Sequence, residues 1–235
     1  MERFEDRIDA GRQLGVALAA WRSDRDVVVV GLPRGGLPVA YEVAVALAAP
    51  LDLLIVRKIG IPFQPEVAMG AIGEDGIVVV DKEVIAMAGV SDAEFTTVER
   101  RERTELERRR ELYAGDRAPV SLKDKTVVLI DDGIATGSTV RAACRVARGR
   151  GASRIVLGVP VASSAAVASL RADVDACVAL VEVDGSFSVG EWYRRFDQTS
   201  DEEVLECLRR ADRRGLQPHA AVMLHDAGVD RRMDR

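Results

Sequence analysis

Short runs of aliphatic, mostly β-branched residues recur along this chain at VVVVG (27–31), LDLLIVR (51–57), GIVVVD (76–81), TVVLID (126–131), RIVLGVPV (154–161) and CVALVEV (177–183). A run that is apolar at every position, rather than at every second one, fits a strand covered on both faces, as in a parallel sheet. Between several of these runs lie segments of helix length, at 38–49, 137–149 and 163–172. Parallel strands need crossovers of that size, so the alternation predicts an α/β fold with a mainly parallel central sheet flanked by helices.

The segment SDAEFTTVERRERTELERRRELYAG breaks this rhythm. Ser91 followed by Glu94 is a capping box, Gly115 suits the position after a helix, and interleaved acids and arginines read as a solvated helix laced with i,i+4 pairs. At 235 residues, 48% hydrophobic and 30% charged, the chain has the balance of a globular protein with a substantial core. A net charge of −5 predicts no nucleic-acid partner and no membrane-surface partner, since both rely on an excess of positive field. No apolar run approaches the roughly 20 residues that span a bilayer, and the start MERFEDRIDAGRQ is charged where a signal peptide is apolar. A cytoplasmic protein is expected. Cys144, Cys177 and Cys207 are widely spaced and read as small buried hydrophobes. The two histidines, His219 and His225, lie near the C-terminus, which argues against His-based triads and His-rich metal sites.

The candidate chemistry sits in VVLIDDGIATGSTV, 127–140. A strand here delivers Asp131 and Asp132 to the carboxyl edge of the sheet, where ligands bind in doubly wound folds. The Gly-rich turn that follows opens a helix, so backbone N–H groups from Gly133 through Ala135 and Gly137 to Thr139 form a nest for a phosphate dianion. The hydroxyls of Thr136, Ser138 and Thr139 add donors. Two carboxylates would repel a phosphate, and a vicinal diol is the natural partner for acceptor-only side chains. Phosphate beside diol is a ribose 5-phosphate. The lysine of a Walker A loop and the spacing of a Rossmann fingerprint are both absent.

VVLIDDGIATGST resembles the phosphoribosyl pyrophosphate (PRPP) signature of the type I phosphoribosyltransferases, and the strand spacing over about 25–185 fits that family. LPRGG, LIVRK and PVAS together resemble a bacterial branch of phosphoribosyltransferase domain proteins with unassigned base specificity. The resemblance implies one domain over 1–235, with its core at about 25–185 and a small hood built from about 1–24 and 184–215. It also implies a Mg²⁺-dependent transferase of nucleotide metabolism that moves the ribose 5-phosphate of PRPP onto a nitrogen nucleophile, typically a nucleobase, and releases pyrophosphate. A homodimer is compatible with it.

PRPP requires a second anion site, and VVVVGLPRGGLPVA offers one. A buried strand is followed by Pro33, Arg34, Gly35 and Gly36 and by a helix starting near Pro38. By resemblance this is the pyrophosphate loop, in which a cis peptide is common, and Arg34 brings the charge. Arg57 and Lys58 close the run LDLLIVRK at what should be the same edge, as further pyrophosphate ligands. The following IGIPFQPEVAMGAIGEDG, rich in Gly and Pro, corresponds by resemblance to a flexible loop that closes over substrates, and Glu66 within it is a candidate contact to the nucleophile or the ribosyl cation. In this assignment Asp131, Asp132, Arg34 and Lys58 carry the catalysis. Mg²⁺ arrives with PRPP, with Asp131 or Asp132 reaching it through water.

The acceptor is not legible. In 6-oxopurine transferases of the family an aspartate commonly stands where this chain has Ala135, which counts against that mode of base recognition. Phe187, Trp192, Tyr193 and Phe196 concentrate the aromatics near the C-terminal segment, either to stack on a base or to form the core of the hood. The alternative to an enzyme is a non-catalytic regulatory protein that binds PRPP or a nucleotide. A PRPP-making kinase is disfavoured, because its ATP-binding elements are not recognisable.

Overall fold

Five apolar runs assemble into one fully parallel sheet of β1 (Val27–Gly31), β2 (Leu51–Leu53), β6 (Thr126–Ile130), β7 (Arg154–Ser163) and β8 (Ala176–Val183), in the order β2-β1-β6-β7-β8. The computed structural model describes residues 3–217 apart from 75, 115–118 and 186, and leaves the side chains of Glu66 and Ala114 undescribed. Every residue of β1 and β6 is buried, as an all-apolar run requires. Val28, Val30, Val127 and Leu129 face α5 (Ser138–Gly149) and α6 (Ser164–Leu170), while Val27, Val29, Val128 and Ile130 face α1 (Arg7–Ala17) and α2 (Gly36–Leu47). Each such side chain taken fully out of water contributes roughly 1.5–3 kcal/mol, so two-sided coverage makes these strands the rigid base of the fold.

The run expected as one strand over 51–57 is split. β2 ends at Leu53, and β3 (Val56–Ile61) starts a separate antiparallel sheet with β4 (Gln64–Gly73) and β5 (Val78–Val80), in the order β3-β4-β5. The segment after Lys58, expected as an irregular loop, is therefore a β-hairpin. Its Gly and Pro residues serve the bulges where the register shifts between Ile59 and Ile61: a Cβ on Gly60 would lie 2.3 Å from the Pro65 carbonyl oxygen.

The charged helix α4 (Asp92–Ala114) starts at the expected capping box, in which the Ser91 backbone N–H donates to Glu94 Oε2 (2.9 Å) and Ser91 Oγ accepts from the Glu94 N–H (3.4 Å). It is not solvated all round. Phe95, Val98, Leu106 and Tyr113 form a stripe packed on Ile59, Met69 and Ile72 of the second sheet. α3 (Lys82–Ala88) connects β5 to it, and α7 (Asp201–Arg213), capped by the box of Ser200 and Glu203, packs Val204 and Leu208 into the same cluster. Cys144 and Cys207 are buried and Cys177 is half-buried. Gly115, His219 and His225 lie outside the described residues. Among those described, no helix is long and apolar enough to cross a membrane.

Candidate active site

β1 and β6 are adjacent and in register, with Gly31 opposite Ile130, so the loops 32–35 and 131–137 leave the sheet side by side. The two loops touch. Leu32 N–H donates to the Ile130 carbonyl at 2.9 Å. A Cβ on Gly36 would lie 2.8 Å from that same oxygen, and one on Gly35 would overlap Asp132 Oδ2 at 1.9 Å. Only glycine permits this approach, which explains the GG of LPRGG. The Pro33–Arg34 peptide is cis.

Both loops open helices without a side-chain cap, α2 on Gly35 and α5 on Gly137, whereas Asp6, Asp81, Ser163 and Ser200 cap α1, α3, α6 and α7. An uncapped N-terminus leaves backbone donors for an anion. The first turn of α2 partly satisfies itself, since Gly36 N–H donates to Leu32 O (3.0 Å) and Leu37 N–H to Arg34 O (3.2 Å). α5 is the more open nest. Gly137 holds a left-handed φ of 78°, and Ile134 is pinned to β7 through Ile134 N–H to Val161 O and Ser163 N–H to Ile134 O, both 2.9 Å. A cavity of about 190 Å³ lies there, lined by Asp131, residues 133–140 and Val189.

The two acids are not equivalent. Asp131 Oδ1 accepts the Asp132 backbone N–H at 2.9 Å, and Asp131 is one of the residues lining the cavity. Burial, reinforced by the negative charge of Asp132, holds its pKa well above the ordinary aspartate value. Asp132 was expected to share the diol, but its Oδ2 takes Arg7 Nε of α1 at 2.8 Å. Burial raises its pKa too, opposed by that guanidinium. Arg7 also donates to Asp197 O at 2.7 Å and lies 3.9 Å over the Phe196 ring, while Tyr193 Oη donates to the Asp132 carbonyl at 2.6 Å. Removing one partner from such a desolvated pair costs about 3–5 kcal/mol, because the other is left uncompensated.

A second cavity, of about 410 Å³, is bounded by Pro33 of the first loop, Thr139 of the second, Arg57, Lys58, Gly60 and Pro65 of the hairpin, and Arg101, Glu102 and Arg109 of α4. Arg57 and Lys58 thus reach the site from the second sheet and not from the end of a central strand. Arg34 does not line this cavity. Its guanidinium lies 3.9 Å from Asp201, the first residue of α7, whose carboxylate also takes the Tyr113 hydroxyl. That bond and the burial of the ring push the Tyr113 hydroxyl up to about 12, burial being the larger cause. Glu66 falls in β4, and its side chain lies outside the described atoms.

The family model for the phosphoribosyl transferase domain matches residues 6–194. The chain belongs to the phosphoribosyl transferase domain family. Two Mycobacterium tuberculosis proteins, from different strains and provisionally named phosphoribosyl transferases, are 50% identical over 213 residues, 91% of this chain and 48% of theirs. The chain thus spans about half the length of the curated relatives it matches. The crystal structure of TT1426 from Thermus thermophilus superposes with a TM-score of 0.81 at 41% identity, covering 88% of this chain and 98% of that one.

Within this phosphoribosyl transferase domain, the acid-and-loop motif and LPRGG were visible in the sequence. Arg7, Arg101, Glu102, Tyr113 and Asp201 were not. Each looks like an ordinary charged or polar helix residue, and only the packing of α1, α4 and α7 around the strand ends brings it in. One signal was available for Glu102: it occupies the apolar stripe of α4, between Val98 and Leu106, where an acid requires a partner. The four C-terminal aromatics form a core with Phe4, in which Tyr193 lies 5.5 Å from Phe4 and 4.8 Å from Phe196 between ring centroids.

Proposed function

We propose that this domain transfers the ribose 5-phosphate of PRPP to a nitrogen nucleophile, a nucleobase, with release of pyrophosphate. The observation that carries the reading is the pair of adjoining cavities: one walled by the uncapped α5 nest with Asp131 at its edge, the other by four cations, with Thr139 common to both. A ligand with a monophosphate at one end, a diol between and a pyrophosphate at the other matches that sequence of walls. The backbone of 133–137 and the hydroxyls of Thr136, Ser138 and Thr139 hold the 5-phosphate. Asp131 accepts from the ribose hydroxyls, and Asp132, tied to Arg7, fixes the loop beneath it.

As the C1–O bond breaks, its electron pair leaves with the pyrophosphate, and Lys58 and Arg57 stabilise the charge that develops there. The nucleophile's nitrogen forms the new bond to C1, and its proton passes to the departing pyrophosphate or to solvent. No covalent enzyme intermediate is needed. The two adjacent carboxylates Asp131 and Asp132 are a donor set that suits Mg²⁺ arriving with PRPP, since this ion keeps phosphate oxygens and water as ligands and takes few carboxylates, with Asp131 or Asp132 as a water-mediated partner. Bound there, it would add charge neutralisation on the leaving group. The wall formed by α1 and residues 187–196 is the proposed acceptor hood, with its aromatics serving as core.

Calorimetry with PRPP and Mg²⁺, followed by a nucleobase screen reading pyrophosphate release, tests the proposal. Binding in the micromolar range with release for at least one base is expected. Absence of PRPP binding at millimolar concentration overturns it.

A further inference from the structure

The sequence assigned the positive charge of the pyrophosphate site to Arg34, Arg57 and Lys58, yet Arg34 faces Asp201 and the 410 Å³ cavity draws its additional cations from α4. Glu102 explains how. It is 7% exposed, on the buried stripe of α4, and each of its oxygens takes two guanidinium nitrogens: Oε2 accepts from Arg57 Nε (2.9 Å) and Nη2 (2.7 Å), Oε1 from Arg101 Nε (3.1 Å) and Nη2 (3.0 Å). One carboxylate thus clamps two guanidiniums from different elements. Two such bonds per guanidinium fix its plane as well as its position. Glu102 carries one negative charge for the two guanidiniums it holds, while Arg109 on the same cavity wall is paired with Glu105 at 2.9 Å.

Arg57 satisfies only Oε2 of this buried carboxylate, and the remaining oxygen requires a donor of its own. That donor is Arg101, whose side chain is 70% exposed and stands on the wall of the cavity shared with the pyrophosphate loop, so its guanidinium is held in place and still open to a ligand. We propose that α4 is part of the active site: Arg101 contacts the pyrophosphate of PRPP together with Arg57, and Glu102 is the positioning residue that presents both. This rests on the proposed function, and it assigns to the charged helix the recognition of the leaving group.

Titration of wild type, Arg101→Met and Glu102→Gln with PRPP, pyrophosphate and ribose 5-phosphate, each with Mg²⁺, tests it. Both variants are expected to weaken PRPP and pyrophosphate about tenfold while ribose 5-phosphate changes less than about twofold. A purely structural role for Glu102 would weaken all three ligands together and leave Arg101→Met silent. Should Glu102→Gln fail to fold, Arg101→Met alone decides, since its side chain is mostly in solvent. Wild type that binds PRPP with Arg101→Met unchanged overturns this inference alone, and wild type that binds no PRPP overturns the proposed function with it.

Discussion

Asp131 carries opposing demands. Its burial and the neighbouring charge of Asp132 make the ionised form costly in the folded protein, so its folded pKa lies above the unfolded value. For a group shifted in this direction, stability is fully present below the unfolded pKa, near 4, and is lost as pH rises through the folded pKa. In the proposed binding mode the ribose hydroxyls need the ionised form as acceptor, so ligand affinity runs the other way. Asp131→Asn is therefore expected to raise the melting temperature at pH 7, with the advantage fading toward pH 4. The same variant should lose about tenfold or more in ribose 5-phosphate affinity, the worth of a hydrogen bond to a charged group at roughly 1.5–3 kcal/mol. Thermal melts across that pH range and one titration at pH 7 check both halves. A lower melting temperature at neutral pH would mean that the carboxylate holds the fold together.

At the scale of elements, the β3–β4 hairpin behaves unlike a loop. Residues 57–59 pair with 70–72 across an antiparallel ladder, and Ile59, Met69 and Ile72 are anchored under α4. Around the turn Phe63 stands 70% exposed. Hydrogen exchange should then show protection at 58–59 and 70–72 without ligand, and fast exchange at Phe63 and Gln64, the tip residues between Pro62 and Pro65 that carry an amide hydrogen, that slows with PRPP and Mg²⁺. Equal exchange at Phe63 and Gln64 in both states would remove the tip as a closing element. The same hairpin marks where sequence reading stops. Strands buried on both faces advertise themselves through unbroken apolar runs, so β1, β6 and β7 were legible almost to the residue. β3 and β4 show neither an unbroken apolar run nor a clean alternation, and they bulge and carry Gly60 and Pro65, which locally mimics a loop; the break between Leu53 and Val56 leaves no trace in LDLLIVR. The loop motifs were legible because their chemistry is contiguous. The Arg7–Asp132 and Arg57–Glu102 pairs join residues 125 and 45 positions apart, and nothing local announces them.

Across the whole molecule, the strand order decides which loops cooperate. β1 and β6 are neighbours although 94 residues separate Gly31 from Thr126 in the chain, and this adjacency sets the 32–35 loop, proposed for pyrophosphate, beside the 133–137 nest, proposed for the 5-phosphate. The second sheet and α4 then close the far side of the site with cations that the central sheet does not supply. If the two cavities hold the two ends of one ligand, as proposed, affinity partitions between them. Thr136→Val removes a hydroxyl from the nest alone, so PRPP and ribose 5-phosphate should weaken by a similar factor, about tenfold for a hydrogen bond to a charged phosphate. Lys58→Met removes a charge from the other cavity while keeping most of the stem, so PRPP should weaken at least as much while ribose 5-phosphate stays within about twofold. Turnover should fall further than affinity for Lys58→Met, because charge on the leaving group grows toward the transition state. Titrating both variants with both ligands, alongside initial rates, reads the partition directly. If Lys58→Met weakens the two ligands equally, the cation-lined cavity is not where the pyrophosphate sits, and the order of walls along the cleft must be read in reverse.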